Sequence, residues 1–165
     1  MKTMNTKRLL SMLVSLIISG SLLLSACAPA QSQGNNQAEK LLGSWNAAIT
    51  TPVQGTFPAL MTFTADGVVI ADESPTEFES AGHGNWKHND SGEIAYTFVS
   101  LYGSEEAANT GKLKVIGTLN PDSGKDSWSG PFQIDVYDAS GQVVFSDNGT
   151  VNLTRIEVEA LPQAE

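Results

Sequence analysis

The sequence predicts an all-β chain folded as an eight-stranded antiparallel up-and-down barrel, and three observations carry that prediction. Apolar residues recur with a period of two, not 3.6, over nearly all of residues 41–156. Clusters of Gly, Asn, Asp, Ser and Pro separate the apolar runs. The runs are also long, roughly 14 residues per strand plus turn, whereas immunoglobulin-like sandwiches turn every 8–12 residues. Long strands joined consecutively suit a barrel whose interior holds one small ligand. A two-sheet β-sandwich is the alternative.

The first strand spans Leu41–Thr50 and stops at Thr51-Pro52. Pro58–Thr64 forms the second, and Ala65-Asp66-Gly67 turns tightly into a third at Gly67–Ala71. An acidic loop, Asp72–Ala81, leads to the central hairpin: Gly82–His88, an Asn-Asp-Ser-Gly turn, then Glu93–Tyr102. That fifth strand is ambiguous, with Ile94, Tyr96 and Phe98 on one face and Ala95, Val99 and Leu101 on the other. Gly111–Leu119 places Leu113, Val115, Gly117 and Leu119 on one face. Trp128, Phe132, Ile134 and Val136 share a face in the seventh run, and Val143–Ile156 closes the chain with Phe145, Val151 and Leu153 in phase.

Ahead of this body, residues 1–26 read as an export signal. Lys2, Lys7 and Arg8 precede an apolar core at Leu9–Leu24, which is shorter than the roughly 20 residues of a bilayer span. Leu24-Ser25-Ala26-Cys27 resembles the lipobox of bacterial lipoproteins. The resemblance implies acylation of Cys27, hence a lipid-anchored extracytoplasmic protein whose membrane contact runs through that residue. Ala28, not Asp, follows the cysteine, which under the sorting rule of some two-membrane bacteria permits outer-membrane delivery. Cys27 is the sole cysteine, so no intrachain disulfide exists. Residues 27–40 read as the lipidated cysteine and a polar tether, with a short capping helix at 36–42 as the rival reading. Residues 157–165 read as a disordered tail.

Beyond Cys27, 6 Lys/Arg stand against 18 Asp/Glu, a balance of −12. Such a surface repels phosphate backbones, so nucleic acid is excluded as a partner; nothing points to a particular protein partner.

Gly43-Ser44-Trp45 opens the first strand, and Arg155 stands near the end of the last. These residues, within the wider pattern GSW…FTADG…GHGNW…GTL…WSGPF…GTV…TRI, are similar to small bacterial lipocalin-like (calycin-type) proteins. The resemblance implies a barrel in which Arg155 stacks on Trp45, within about 6 Å of the ring, where the first and last strands meet.

In an up-and-down barrel alternate loops share an end. Loops 51–57, 72–81, 103–110 and 138–142 are the longer set and mark the mouth; the chain then enters and leaves at the other end. The mouth carries Asp72, Glu73, Glu77, Glu79, Glu105, Glu106 and Asp138 without Lys or Arg. That set reads as a solvated rim, or as a site for a cationic ligand or weakly held Ca²⁺. Trp86, Tyr96, Phe98, Trp128, Phe132 and Phe145 are the aromatics placed inside as core or as ligand-binding wall.

No phosphate loop, nucleophile elbow or zinc spacing is present, so no cofactor, metal ligand or catalytic residue is assigned. Of the two histidines, His83 as an acid/base residue would fit an allene-oxide-cyclase-like isomerase, but it shares a strand face with Asn85 and Lys87. Three functions therefore compete. They are an anchored barrel binding a small apolar or amphipathic molecule, an isomerase or cyclase on the same scaffold, and a packed surface module without ligand.

Overall fold

The computed structural model describes residues 38–73, 79–89, 92–104, 107–123 and 126–162; the leader and the Cys27 lipobox lie outside them. Eight strands follow one another: β1 Gly43–Thr51, β2 Gly55–Phe63, β3 Val68–Glu73, β4 Gly82–His88, β5 Ile94–Ser104, β6 Ala107–Pro121, β7 Ser127–Asp138 and β8 Val143–Arg155. Each pairs antiparallel with its neighbour in sequence, and β1 pairs with β8 from Trp45↔Arg155 to Thr50↔Thr150. The sheet is thus a closed barrel with no edge strand, which rules out the sandwich. The described residues all belong to one compact unit.

Period two sets what the interior contains. Trp45, Ala47, Met61, Phe63, Val69, Ala71, Val151 and Leu153 all fall in the inward phase of their strands and are buried. In β5 the ambiguity resolves toward Ile94, Tyr96 and Phe98, with Ser100 on the same face, while Leu101 is 64% exposed. Among the described residues no helix is long and apolar enough to cross a membrane, which says nothing of crossing by strands.

The end where the β2–β3, β4–β5 and β6–β7 turns gather is filled. The expectation that longer loops mark the other end is not met: there residues 52–54 join β1 to β2 and residues 105–106 join β5 to β6, because the strands run further than their apolar pattern, and only 74–81 is long. Residues 38–41 form a helical turn where the sequence reading extended the tether to Lys40; Leu41 is fully buried, and the Trp45 indole Nε1 donates to its carbonyl at 2.8 Å. Above that turn lie Phe63, Ile94, Leu119, Trp128 and Leu153. Trp86 packs edge-on against Phe63 with centroids 6.1 Å apart and donates its Nε1–H to the Thr64 carbonyl at 3.0 Å. The Trp45 and Trp86 indoles thus satisfy their N–H groups locally while their rings pack in this end.

Arg155 locks this end. Its Cζ stands 4.1 Å from the centroid of the Trp45 ring, so the contact expected from the lipocalin-like pattern is present. Its guanidinium donates to the Leu42 carbonyl at 3.0 Å, to the Lys40 carbonyl, and to Asp126 at 2.5 Å. One side chain thereby joins β8, the loop before β7, the capping turn and β1. The planar fork serves carbonyls and carboxylate together, which an ammonium cannot reproduce. Arg155→Ala should lower stability by about 1–2 kcal/mol in urea unfolding, and Arg155→Lys should recover less than half of the loss. Wild-type stability in the alanine variant would contradict this account of the seal.

Candidate functional site

The opposite half of the barrel is hollow. A cavity of about 300 Å³ opens at this end, bordered by Thr51, Val53 and Gln54 after β1 and by Glu79 and Ser80 before β4. Its wall is largely apolar: Ile49, Phe57, Met61, Leu113, Val115 and Ile134 contribute, together with four of the aromatics singled out in the sequence. Benzene occupies an engineered cavity of about 150 Å³, so this one suits roughly ten to twelve heavy atoms.

Glycines on adjacent strands keep the space open. Tyr96 pairs with Gly117 across β5 and β6, and a Cβ on that glycine would stand 2.4 Å from the ring's Cζ. Phe132 lies in the same way over Gly149, at 2.8 Å, and Phe98 over Gly82, at 2.5 Å. Each ring lies against the wall because its neighbour has no side chain, an arrangement known to support glycine in sheets. Tyr96 and Phe98 are also stacked, 6.2 Å apart and 10° from parallel.

Of the six predicted aromatics, Tyr96, Phe98, Phe132 and Phe145 line the cavity, Phe145 at the rim and 47% exposed. Trp86 and Trp128 do not line it. They belong to the packed end beneath, because their places in register lie near the short turns after β4 and before β7. His83 points outward and is exposed, away from the cavity. His88 lies toward the closed end, and its Nε2 is buried without a hydrogen-bond partner among the described residues. Trp45 and Arg155 are structural, as described above.

The acidic mouth separates into distinct roles. Asp72, Glu73 and Glu79 border the cavity, and Asp147, not singled out from the sequence, joins them from β8. Asp138 is occupied by its own turn: Oδ1 accepts from Ser140 Oγ at 2.7 Å, Ser140 N at 2.9 Å and Gln142 N at 3.0 Å. The Ser140 hydroxyl, followed by the backbone donors, holds its carboxyl below the usual range. Glu77, Glu105 and Glu106 lie outside the described residues. No group of three or more His, Cys, Asp or Glu side chains able to hold a metal ion occurs among the described residues.

Glu73 follows Val69 and Ala71 in the inward phase of β3, and Glu79 bridges to Tyr102 of β5. The two carboxyls meet at the mouth. Burial first, then the charge of Glu79 and a hydrogen bond with it, push the Glu73 carboxyl up to about 7. Deeper in, Tyr96 is 3% exposed and Ser100 2%. Both border the cavity, and neither side-chain hydroxyl is hydrogen-bonded to another described residue. Burial pushes the Tyr96 phenol up, so it stays protonated and available as a donor. Sequence reading missed Ser100 and Asp147. Their signal is a polar residue in the inward phase of a strand whose neighbours in phase are buried.

No family model matches the chain, and no curated protein matches it. Among solved structures a redesigned β-barrel is similar, at 22% identity and a TM-score of 0.43, over 73% of this chain and 95% of that one.

A pH dependence follows from the carboxyl pair. The Glu73 carboxyl is raised from 4.5 to about 7 in the folded state, so its contribution to stability is complete below about pH 4.5 and is lost as pH rises through 7. Glu73→Gln, which fixes the neutral form, should match wild type near pH 4.5 and exceed it at pH 8. Because water partly reaches the group, the gain should be about 1–2 kcal/mol. Thermal unfolding at the two pH values checks this; an equal gain at both would refute the shift.

Proposed function

We propose that this chain is a membrane-anchored, extracytoplasmic, lipocalin-like barrel that binds one small apolar or amphipathic molecule. The observation that carries the reading is the cavity of about 300 Å³, walled by apolar side chains in one half of a closed barrel whose other half is filled. The lipobox-like Leu24-Ser25-Ala26-Cys27 supports the anchor, and the Gly43-Ser44-Trp45 and Arg155 pair supports the lipocalin-like assignment. The chain enters β1 at the filled end, so a tether from Cys27 would leave the mouth facing away from the membrane.

Decan-1-ol, with eleven heavy atoms, is a fitting neutral probe. It should bind in calorimetric titration with a Kd in the micromolar range, about −8 kcal/mol. Gly117→Ala should weaken it at least tenfold by driving the Tyr96 ring into the space. Absence of binding, or unchanged binding in the glycine variant, would refute a ligand cavity. For the anchor, Cys27→Ala should leave the precursor unprocessed or release the protein from membranes on fractionation. A matured variant still on the membrane would refute acylation at Cys27.

One observation favours an acid–base reading as well. A carboxyl near 7 beside an apolar cavity is poised for proton transfer, and Glu73 has that environment where His83 does not. Such an enzyme returns a bound ligand rearranged, or deuterated at an exchangeable carbon in heavy water. A binding barrel returns it unchanged, as mass spectrometry of recovered ligand would show.

A further inference from the structure

The cavity carries a charge pattern that narrows the class of ligand. Among the described residues, every acidic or basic side chain that borders it, the Tyr96 phenol apart, is a carboxyl: Asp72, Glu73, Glu79 and Asp147. No Lys or Arg among the described residues borders it. The cations of β6, Lys112 and Lys114, lie instead over the Tyr137 ring, at 5.0 and 5.7 Å from its centroid. An anionic amphiphile such as a fatty acid would therefore bring its headgroup against like charge with no counter-ion at hand.

The carboxylates are also placed asymmetrically. Glu73 and Glu79 stand together on the β3–β4 side, where the Ser80 amide donates to the Leu101 carbonyl at 2.8 Å and ties Glu79 to β5. Across the mouth Val53, Val136 and Phe145 border it together with a single acid, Asp147 of β8. A molecule seated there meets most of the acids on one side and mostly hydrocarbon on the other. A metal ion fits this poorly, since no cluster of three ligating side chains exists among the described residues. A monovalent organic cation asks only for one or two acceptors and a wall for its body.

A second observation, independent of the acids, points to a guest. Tyr96 and Ser100 are nearly wholly buried, stand on one face of β5 below Glu79, and keep their hydroxyls without a hydrogen-bond partner among the described residues. Neither oxygen is sealed off, since the one fully buried side-chain polar atom without a partner among the described residues is His88 Nε2; both are open to a guest in the cavity. Of the two, Ser100 is the nearer to the Glu79 bridge at Tyr102, and its hydroxyl suits a headgroup that brings donors of its own. A protonated primary or secondary amine does so, offering two or three N–H donors.

We infer that the ligand is an amphipathic amine of about ten to twelve heavy atoms, its ammonium held by Glu73 and Glu79 at the mouth and its apolar body lying against Tyr96, Phe98 and Phe132. This rests on the cavity reading above and adds the sign of the headgroup.

Three probes of equal length separate the two. Decylamine, decan-1-ol and decanoate are titrated at pH 8, where the first is a cation and the last an anion. The full-length protein is held in zwitterionic nanodiscs, with empty nanodiscs as the blank for partitioning. Decylamine should bind at least tenfold tighter than decan-1-ol, and decanoate at least tenfold weaker than the alcohol. Glu73→Gln/Glu79→Gln should bring amine and alcohol within threefold of each other, with a cooperative thermal unfolding transition reporting an intact barrel. Decanoate binding as tightly as decylamine, or an amine preference that survives the double substitution, would overturn the inference and leave the cavity reading standing. Failure of all three probes would overturn both.

Discussion

Hydrogen bonding of β1 to β8 is the constraint on which the rest of the molecule depends. Once these strands meet, the sheet has an inside, and alternation sends every second side chain into it. Closure also gives the barrel two unlike ends, because consecutive antiparallel strands collect alternate loops on opposite sides. The β2–β3, β4–β5 and β6–β7 turns gather where Trp45 and Arg155 join the first and last strands; the other connections gather at the cavity mouth. The Arg155 side chain ties the closing strand to the capping turn through backbone carbonyls. The seal and the floor of the cavity are therefore one structure.

An eight-stranded barrel is just wide enough to be filled by its own side chains or to hold one small molecule. Residue size at inward positions decides between these outcomes. Below, Trp45, Phe63, Trp128 and Leu119 occupy the full width and leave no room. Above, glycines at 82, 117 and 149 let the facing aromatic rings lie flat, so ring area is spent on the wall. Charge follows the same division. The cation of Arg155 is paired at the closed end, while carboxylates border the open one. Glu73 is held partly neutral there by burial and by Glu79.

Strand faces were legible in the sequence because period two is a local property. Leu113, Val115 and Leu119 point inward as their alternation indicates, and the hairpin from Gly82 to Tyr102 is formed. Height along the barrel axis was not legible, since it depends on the stagger between distant strands. Trp86 and Trp128 were therefore grouped with Tyr96 and Phe132, although register sets the first two in the floor. Glu73 was assigned to a loop because the run after Ala71 is acidic. Pairing of Ala59 with Glu73 extends β3 and turns that carboxyl inward. Ser100 escaped notice because β5 has apolar residues in both phases, and only the neighbouring strands decide which phase is buried.

The central claim is that the upper half of the barrel is empty space, held open by rings lying on glycines. Xenon enters dry apolar cavities and scatters strongly, so a crystal of the protein pressurised with xenon measures that space directly. The account predicts ordered xenon among Tyr96, Phe98 and Phe132, with the three rings still flat on Gly117, Gly82 and Gly149. Rings turned inward to fill the barrel, with no xenon between them, would contradict it.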